Sequence, residues 1–324
     1  MRLGYLLEQI FSIDQFKSEP PVLIDIGASG VIHKYWKKIA KYSICIAFDA
    51  DRREMQIIEN ASSKFKKLFV YNCIVSDLDI NEVDFYLTKS PYCSSVLKPN
   101  IDKLKIWSYA EKFEVIGKTK VKAKQLASII NELKLKRIDW YKSDSQGLDL
   151  RLFKSLPDEI RNKIITAEFE PGFIDSYIGE DKLSEIIRYM ETQDFWLSDI
   201  TVKGSQRISQ QHLGMMFNSN VLKKLAYFSH KTSAGWAELT YLNNLEKNSS
   251  LREHLLGWVF STILGQHGFA LSLIDNTLTP QKSSITKLLT NLQNYSKQQI
   301  KKDILKLKFL PYAFEKISKV LRLN

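Results

Sequence analysis

The segment VLIDIGASGV, residues 22–31, is the part of the sequence that most clearly indicates a class of fold. An apolar run contains an acid, Asp25, near its end, and a turn with Gly27 and Gly30 leads into a helical pattern. In a doubly wound sheet the ligand crevice opens at such a point, where the carboxyl end of a strand passes into a helix. The spacing differs from the dinucleotide fingerprint G-x-G-x-x-G, so the turn alone fits a plain strand-to-helix connection equally well.

Short β-branched runs alternate with helical patterns after this segment. Such alternation predicts an α/β fold with a Rossmann-like, doubly wound and mostly parallel sheet covered by helices. The predicted strands are residues 22–26, 44–49, 67–75, 137–143, 163–170, 195–202 and 236–242. The predicted helices between them are residues 33–41, 52–62, 124–135, 148–156 and 181–192.

The pattern becomes helical throughout after residue 244, with segments at 251–264, 284–295, 297–309 and 312–323. The sequence therefore predicts an amphipathic N-terminal helix at 1–20, an α/β domain at 21–244 and an all-helical C-terminal appendage at 245–324. The longest apolar stretch, residues 255–264, is about half of the roughly 20 residues that span a bilayer. Glu8 and Asp14 interrupt the N-terminal apolar rhythm, so we expect neither a membrane span nor a secretory signal.

The chain has 324 residues, of which 44% are hydrophobic and 26% charged, which is typical of a globular protein. Its net charge of +11 is concentrated in residues 281–324, where ten Lys or Arg accompany two acids. Such a tail suits an anionic membrane surface or acidic glycans as well as nucleic acid; alternatively, its helices pack on the core with lysines toward water. Three irregularly spaced cysteines predict buried thiols in a reducing compartment.

Acids recur at the ends of the other predicted strands. Asp49 ends the second strand and Asp144 the fourth, so with Asp25 three carboxylates converge on one edge of a parallel sheet. Asp49 is placed either to bond a ribose diol or to cap the following helix. Glu168 and Glu170 end the next strand and share one face, as paired carboxylates or as one site acid with a structural partner.

Six strings, in this order and spacing, resemble the FkbM-type methyltransferases, which use S-adenosylmethionine. They are DIGASG, FDAD, YNCIVSD, YCSSVLKPN, DWYKSDSQGLDL and AEFEPGF, and the resemblance spans about residues 21–244. The family's most specific motif, K-x-D-x-Q-G-x-D, stands at Lys142, Asp144, Gln146, Gly147 and Asp149, where relatives usually end it with Glu. The resemblance implies a sheet of the class I methyltransferase type.

The resemblance also implies a binding site for S-adenosylmethionine. Two departures weaken it: Val31 stands where relatives often have a further glycine, and Asp49 with Ala50 replaces the usual Glu-Pro. The implied residues are Asp25, Gly27, Ala28 and Gly30 under the methionine part, Asp49 at the ribose hydroxyls, and Ser76 and Asp77 near the adenine.

The implied reaction transfers a methyl group in line from sulfur to an acceptor, by resemblance a hydroxyl of a sugar, a glycolipid or a polyketide-like molecule. A general base is needed only for a hydroxyl acceptor. The candidate bases are Asp144, Lys142, His33 and Glu170, although His33 also fits a surface histidine at a helix start. The candidate acceptor contacts are Ser94, Ser95, Gln146 and Glu168.

The resemblance thus implies a cytoplasmic S-adenosylmethionine-dependent O-methyltransferase, whose basic tail either packs on the core or makes peripheral contact with an anionic inner membrane face. A catalytically silent methyltransferase fold that binds a partner or a glycan is the first alternative, motivated by Val31. An RNA methyltransferase is the second, but the basic residues lie outside the sheet edge and no aromatic-basic platform accompanies them. No histidine or cysteine spacing indicates a metal.

Overall fold

The computed structural model describes residues 2–28, 32–50, 64–245, 249–275, 277, 283–305 and 309–321. Gly30, Val31 and the predicted helix at 52–62 lie outside the described residues. The chain divides into two compact units, Pro20–Asn244 and the combined segments Met1–Glu19 and Leu245–Asn324. The sequence analysis does not anticipate that the N-terminal and C-terminal segments belong to one unit.

The larger unit contains ten described strands in two sheets. They are β1 (Val22–Ile26), β2 (Ile44–Phe48), β3 (Lys67–Tyr71), β4 (Ile74–Ser76), β5 (Glu82–Thr88), β6 (Val115–Gln125), β7 (Trp140–Ser143), β8 (Thr166–Phe169), β9 (Phe195–Ser205) and β10 (Ser233–Asn243).

The central sheet has seven strands in the order β3-β2-β1-β7-β8-β10-β9. The first five run parallel, whereas β10 is antiparallel to both β8 and β9. The mostly parallel sheet and its helices confirm the predicted α/β, Rossmann-like fold. Because the chain runs outward from β1 to β3 and then returns to β7 on the other side of β1, the strand order reverses between β1 and β7, where α/β sheets bind ligands.

The described helices confirm the predicted C-terminal helical region. The helices are α1 (Leu3–Phe11), α2 (Asp14–Ser18), α3 (Ile101–Leu104), α4 (Leu126–Glu132), α5 (Asp149–Lys154), α6 (Asp158–Arg161), α7 (Leu183–Met190), α8 (Gln210–Met216), α9 (Asn220–Ser229), α10 (Leu251–Ile263), α11 (His267–Asp275), α12 (Ser283–Leu305) and α13 (Leu310–Leu321).

The prediction of one continuous strand at 67–75 was wrong. It forms β3 in the central sheet and β4 in a second sheet of order β4-β6-β5, with a break between them. Asn72 lies at the break, where its side-chain Nδ2 donates to the backbone oxygen of Asp49 at 3.0 Å. The side chain therefore holds the chain at the end of β2 instead of letting β3 continue.

The predicted α-helix at 33–41 is instead two 3-10 segments, Lys34–Lys38 and Ala40–Tyr42. Backbone bonds of the i to i+3 type join Trp36 to His33 at 3.1 Å and Ile39 to Trp36 at 2.9 Å. Trp36 and Ile39 are both fully buried. In a 3-10 helix, side chains three residues apart lie on the same face, so Trp36 and Ile39 both enter the core. The apolar spacing of the sequence did not distinguish this geometry from an α-helix.

The smaller unit is built around α10, which contains most of the apolar stretch at 255–264. The helix is buried nearly all round, and a Cβ on Gly257 would lie 2.7 Å from Leu245 Cδ1. The predicted segments 284–295 and 297–309 form mainly one helix, α12, because no glycine or proline separates them. None of the helices within the described residues is both long enough and apolar enough to cross a membrane.

The carboxyl ends of β1 and β7 meet at Gly27. Its φ of +76° belongs to the left-handed region, and a Cβ there would lie 2.0 Å from the backbone oxygen of Asp144. The amides of Gly27 and Ala28 both donate to the backbone oxygen of Phe48 at 3.0 Å, and Asp144 N donates to Ile26 O at 2.9 Å. Only glycine therefore fits at this position, where the strand order reverses between β1 and β7.

We expect Gly27→Ala to lower the free energy of unfolding by about 3 kcal/mol or more, because backbone strain adds to a clash with immobile backbone. Urea denaturation followed by circular dichroism measures the change. Gly117→Ala in β6 is the matched control, since its Cβ would lie 3.8 Å from Leu87 Cδ1. Equal unfolding midpoints for the two variants would contradict the prediction.

Candidate functional site

The side chain of Asp25 is fully buried beneath the carboxyl edge of β1. Its Oδ1 accepts from Lys142 Nζ at 2.9 Å, and its Oδ2 accepts from the backbone amide of His33 at 3.0 Å. Asp25 therefore joins β1, β7 and the segment that follows the glycine turn. From this buried position Asp25 fixes the elements that surround the site.

A cleft, here called the glycine-turn cleft, opens over the ends of β1 and β2. Asp49 borders it with its side chain almost completely buried, 8% exposed. The cleft has a polar end and apolar walls. Among its lining residues are Gly27, Asp49, Asp144 and Gln146 at the polar end and Phe48, Val75, Phe85 and Leu148 along the walls.

Four of the predicted cofactor residues within the described part of the chain, Asp25, Ala28, Ser76 and Asp77, are not among those lining the glycine-turn cleft. Ala28 contributes its backbone amide to the turn and is itself buried. Ser76 Oγ accepts from Leu78 N at 2.9 Å, and the backbone oxygen of Asp77 accepts from Gln125 Nε2 at 3.3 Å. The neighbouring residues Cys73, Ile74 and Val75 line the wall where the sequence placed Ser76 and Asp77.

The turn after β7 carries Asp144 and Gln146. Gln146 has a φ of +57°, and its Nε2 donates to Asp144 Oδ1 at 2.6 Å. Its Oε1 accepts from the Tyr177 hydroxyl at 2.9 Å, and its backbone oxygen accepts from Ser95 Oγ at 2.9 Å. Gln146 thus connects Asp144 to the serine-containing loop, and Ser95 has a positioning role in this geometry.

Asp149 fixes the same turn from within the protein. Its Oδ1 accepts from Ser143 Oγ at 2.6 Å and from Ser145 N at 2.9 Å. Its Oδ2 accepts from Glu170 N at 3.1 Å. The last acid of the K-x-D-x-Q-G-x-D string therefore ties the end of β7 to the end of β8.

Glu168 and His33 form a buried pair on the other side of Asp144. His33 Nε2 lies 3.2 Å from Glu168 Oε2, and Trp140 Nε1 donates to Glu168 Oε1 at 3.1 Å. The His33 ring also packs edge-on against Trp36 and Trp140. The structure thus places the carboxylate of Glu168 between His33 and Trp140.

Two further clefts meet the glycine-turn cleft at Asp144. The sheet-edge cleft is charged and is lined by residues that include His33, Lys142, Glu168, Glu170, Lys203 and Glu238. The aromatic cleft has six rings, Tyr92, Tyr109, Phe113, Tyr177, Tyr227 and Trp236. Asp144 lines all three clefts, Glu170 the sheet-edge and aromatic clefts, and Ser94 the glycine-turn cleft.

The carboxyl groups of Asp144 and Glu170 are close enough to affect each other's pKa. Burial first, and then the charge of Asp144, raise the pKa of Glu170 to about 9. Burial also raises the pKa of Asp144 to about 6, against the opposing effect of Lys142. The pair therefore holds a proton on Glu170 at neutral pH, and Asp144 is a stronger proton acceptor than an ordinary carboxylate.

Lys142 is held in its charged form. Although burial alone would lower its pKa, the charges of Asp25 and then Asp144 raise the pKa above the ordinary value for lysine. An ammonium group that stays protonated cannot accept a proton from a substrate. Of the four predicted bases, Lys142 is therefore the one whose surroundings fit a positioning role instead.

The sequence analysis missed the aromatic cleft. Tyr109, Tyr177, Tyr227 and Trp236 are far apart in the chain and share no spacing, so only the fold brings them together. Tyr177 in the string IDSYIGE offered the best signal, since it follows the paired glutamates closely. The three cysteines are unpaired and buried, as predicted. Within the described residues, no group of three or more His, Cys, Asp or Glu side chains is arranged to hold a metal ion.

No protein-family model matches the chain, and no curated protein sequence is significantly similar to it.

The coupled pair makes stability depend on pH. A carboxyl group whose pKa is higher in the folded protein binds more protons there than in the unfolded chain, so the free energy of unfolding falls as pH rises. For Glu170 the fall extends from the ordinary glutamate pKa of 4.5 to about 9. We expect Glu170→Gln to reduce the loss between pH 6 and pH 9 by roughly 1–2 kcal/mol, allowing for partial solvent contact.

Urea denaturation of the wild type and Glu170→Gln at pH 6, 7.5 and 9 measures this difference. Glu82→Gln, at an exposed position on β5, is the control for the loss of one carboxylate. Parallel pH profiles for the wild type and Glu170→Gln would show that the pair does not share its proton in this way.

Proposed function

We propose that the protein is an S-adenosylmethionine-dependent O-methyltransferase, similar to the FkbM type, that acts on a hydroxyl of a carbohydrate, a glycolipid or a related small molecule. The observation that carries the proposal is the position of Asp144, where the glycine-turn cleft meets two further clefts. A carboxylate at such a junction is within reach of a donor in one cleft and an acceptor in another.

The strand order supports the finer assignment to the class I methyltransferase type. Five parallel strands reverse their order between β1 and β7, and the antiparallel pair β10 and β9 completes the far edge of the sheet. The glycine-turn cleft lies at this reversal. Its place in the fold is thus the one that α/β sheets use for nucleotide-like ligands.

The residues at the glycine-turn cleft fit the cofactor. Gly27 lines the cleft without a side chain, so the methionine part can approach its backbone closely. Asp49 offers carboxylate oxygens to the ribose diol, and the walls formed by Phe48, Val75 and Leu148 suit the adenine ring. When bound, S-adenosylmethionine supplies an electrophilic methyl group on a positively charged sulfur.

Asp144 is the proposed general base. As the acceptor oxygen forms its bond to the methyl carbon and the carbon–sulfur bond breaks, the Asp144 carboxylate takes the hydroxyl proton. Glu170, which stays protonated at neutral pH, leaves the negative charge on Asp144, the residue next to the reaction. Gln146 and Asp149 hold the turn in place, so alignment accounts for most of the rate enhancement.

The aromatic cleft is the proposed acceptor site. Its six rings offer flat apolar faces to the C–H side of a sugar ring, and the carboxylates of Asp144 and Glu180 offer acceptors to hydroxyls. Tyr177 connects this cleft to Gln146 through its hydroxyl. Aromatic faces combined with a few convergent polar groups are the usual composition of a small-molecule site.

Calorimetric titration with S-adenosylmethionine and S-adenosylhomocysteine tests the cofactor assignment. We expect Asp49→Ala to weaken the binding of both by about 1–3 kcal/mol, because buried hydroxyls lose a charged partner. Asp79→Ala is the matched control, since Asp79 is exposed and comes soon after β4. A folded wild-type protein that binds neither compound would overturn the proposed function.

Transfer of tritiated methyl groups to a panel of methyl glycosides and extracted glycolipids tests the role of Asp144. We expect Asp144→Asn to lower turnover by roughly 10²- to 10⁴-fold, the usual contribution of a general base. Calorimetry on the same variant should show nearly unchanged binding of S-adenosylhomocysteine. Turnover that survives the substitution would exclude Asp144 as the base.

A further inference from the structure

The connection between β9 and β10 contains an exposed apolar surface that the proposed reaction does not use. It consists of α8 and α9 with their joining segment, residues 206–232, here called the helical hairpin. Phe228 is 78% exposed and Met215 is 70% exposed. Met216, Val221, Leu222 and Leu225 are also exposed large hydrophobic residues. Since isolated exposed apolar residues are normal but clusters are not, this surface indicates a partner.

On α9 the exposed apolar residues form one stripe. Val221, Leu225 and Phe228 are spaced at i, i+4 and i+7, which places them on the same face of a helix. Ala226, one position after Leu225, is buried against the protein. The helix therefore keeps a small side chain inward and directs its large apolar side chains outward.

The hairpin is also strongly basic. Between Asp199 and Glu238 the sequence contains no acid; it contains Lys203 on β9 and, within the hairpin, Arg207, Lys223, Lys224 and Lys231. Among these only Lys203 has an ion-pair partner within the described residues, Glu238 at 3.4 Å. Apolar side chains surrounded by unpaired cations match an anionic lipid interface. The acyl chains would contact the apolar side chains, and the anionic headgroups would contact the cations.

The hairpin is attached at the aromatic cleft. Gln210 Nε2 donates to the backbone oxygen of Ser108 at 2.6 Å, and the hydroxyls of Ser108 and Ser205 lie 2.7 Å apart. Tyr227 of α9 is itself one of the rings that line the cleft. A surface that touched the hairpin would therefore lie next to the mouth of this cleft.

We propose that the helical hairpin docks on an anionic membrane and thereby places the aromatic cleft where a lipid-linked acceptor is available. The membrane contact follows from the hairpin alone, and the nature of the acceptor rests on the proposed function. Nucleic acid would use the cations but leave the exposed methionine, leucine and phenylalanine side chains without a role. An anionic bilayer uses both.

Vesicle flotation of the full chain tests the proposal, with phosphatidylcholine vesicles compared to vesicles that contain 30% phosphatidylglycerol. We expect the wild type to bind the anionic vesicles, and we expect the triple substitution Val221→Ser, Leu225→Ser and Phe228→Ser to weaken that binding roughly tenfold or more. The matched control is Tyr312→Ser, Phe314→Ser and Ile317→Ser on α13, which removes exposed apolar residues from the basic tail. The control should retain most of the binding.

A fluorescent label gives a second, local readout. The three native thiols are buried, so Met215→Cys can be labelled with an environment-sensitive dye. We expect a blue shift when anionic vesicles are added and none with phosphatidylcholine alone. Equal binding by the hairpin variant and the wild type, or no wild-type binding, would overturn the proposal.

Four further results distinguish membrane docking from the alternatives. A hairpin variant that changes the sedimentation of the protein alone from dimer to monomer would identify the surface as a contact between two copies and overturn membrane docking. Displacement of the vesicles by a single-stranded RNA would overturn it in favour of nucleic acid. Loss of vesicle binding in the hairpin variant with unchanged calorimetric binding of S-adenosylhomocysteine would support it, and failure of wild-type cofactor binding would refute only the proposed function.

Discussion

The buried carboxylate of Asp25 is the interaction on which the site depends. One of its oxygens binds the Lys142 ammonium and the other binds the His33 amide, so a single group holds together β1, β7 and the segment beyond the glycine turn. A buried charge without an opposite charge is costly, and the loss of Lys142 would leave Asp25 in that state. The arrangement thus favours a single geometry at the strand-order reversal, and the three clefts are built around it.

The parts of the fold that repeat a local rule could be predicted from the sequence. Each parallel strand is an apolar run followed by a turn, and β1 begins and ends where the pattern predicts. The sheet of β5 and β6 was missed because the string VIGKTKVKAKQ alternates lysines with small or branched residues, and its regularity was masked by its charge. The hairpin helices α8 and α9 lack an inward apolar stripe, so periodicity did not indicate how they pack.

Within the candidate site, the sequence could predict which acids stand at strand ends but not which partners they meet. Asp25, Asp49 and Asp144 do lie along one edge of the sheet. The pairing of Glu170 with Asp144, and of Glu168 with His33, depends on side-chain directions that only the packed structure supplies. Asp149 shows the same limit, because the groups that donate to it come from two different strand ends.

Gln146 forms a wall between two of the clefts, since it lines both the glycine-turn cleft and the aromatic cleft. Its backbone is bonded to Ser95 and its side chain to both Asp144 and Tyr177, in a conformation that few side-chain-bearing residues adopt. A ligand that moves Gln146 in one cleft therefore changes the space available in the other cleft. Thermodynamic reciprocity then requires each ligand to alter the affinity of the other by the same factor, so the two clefts communicate through a single residue.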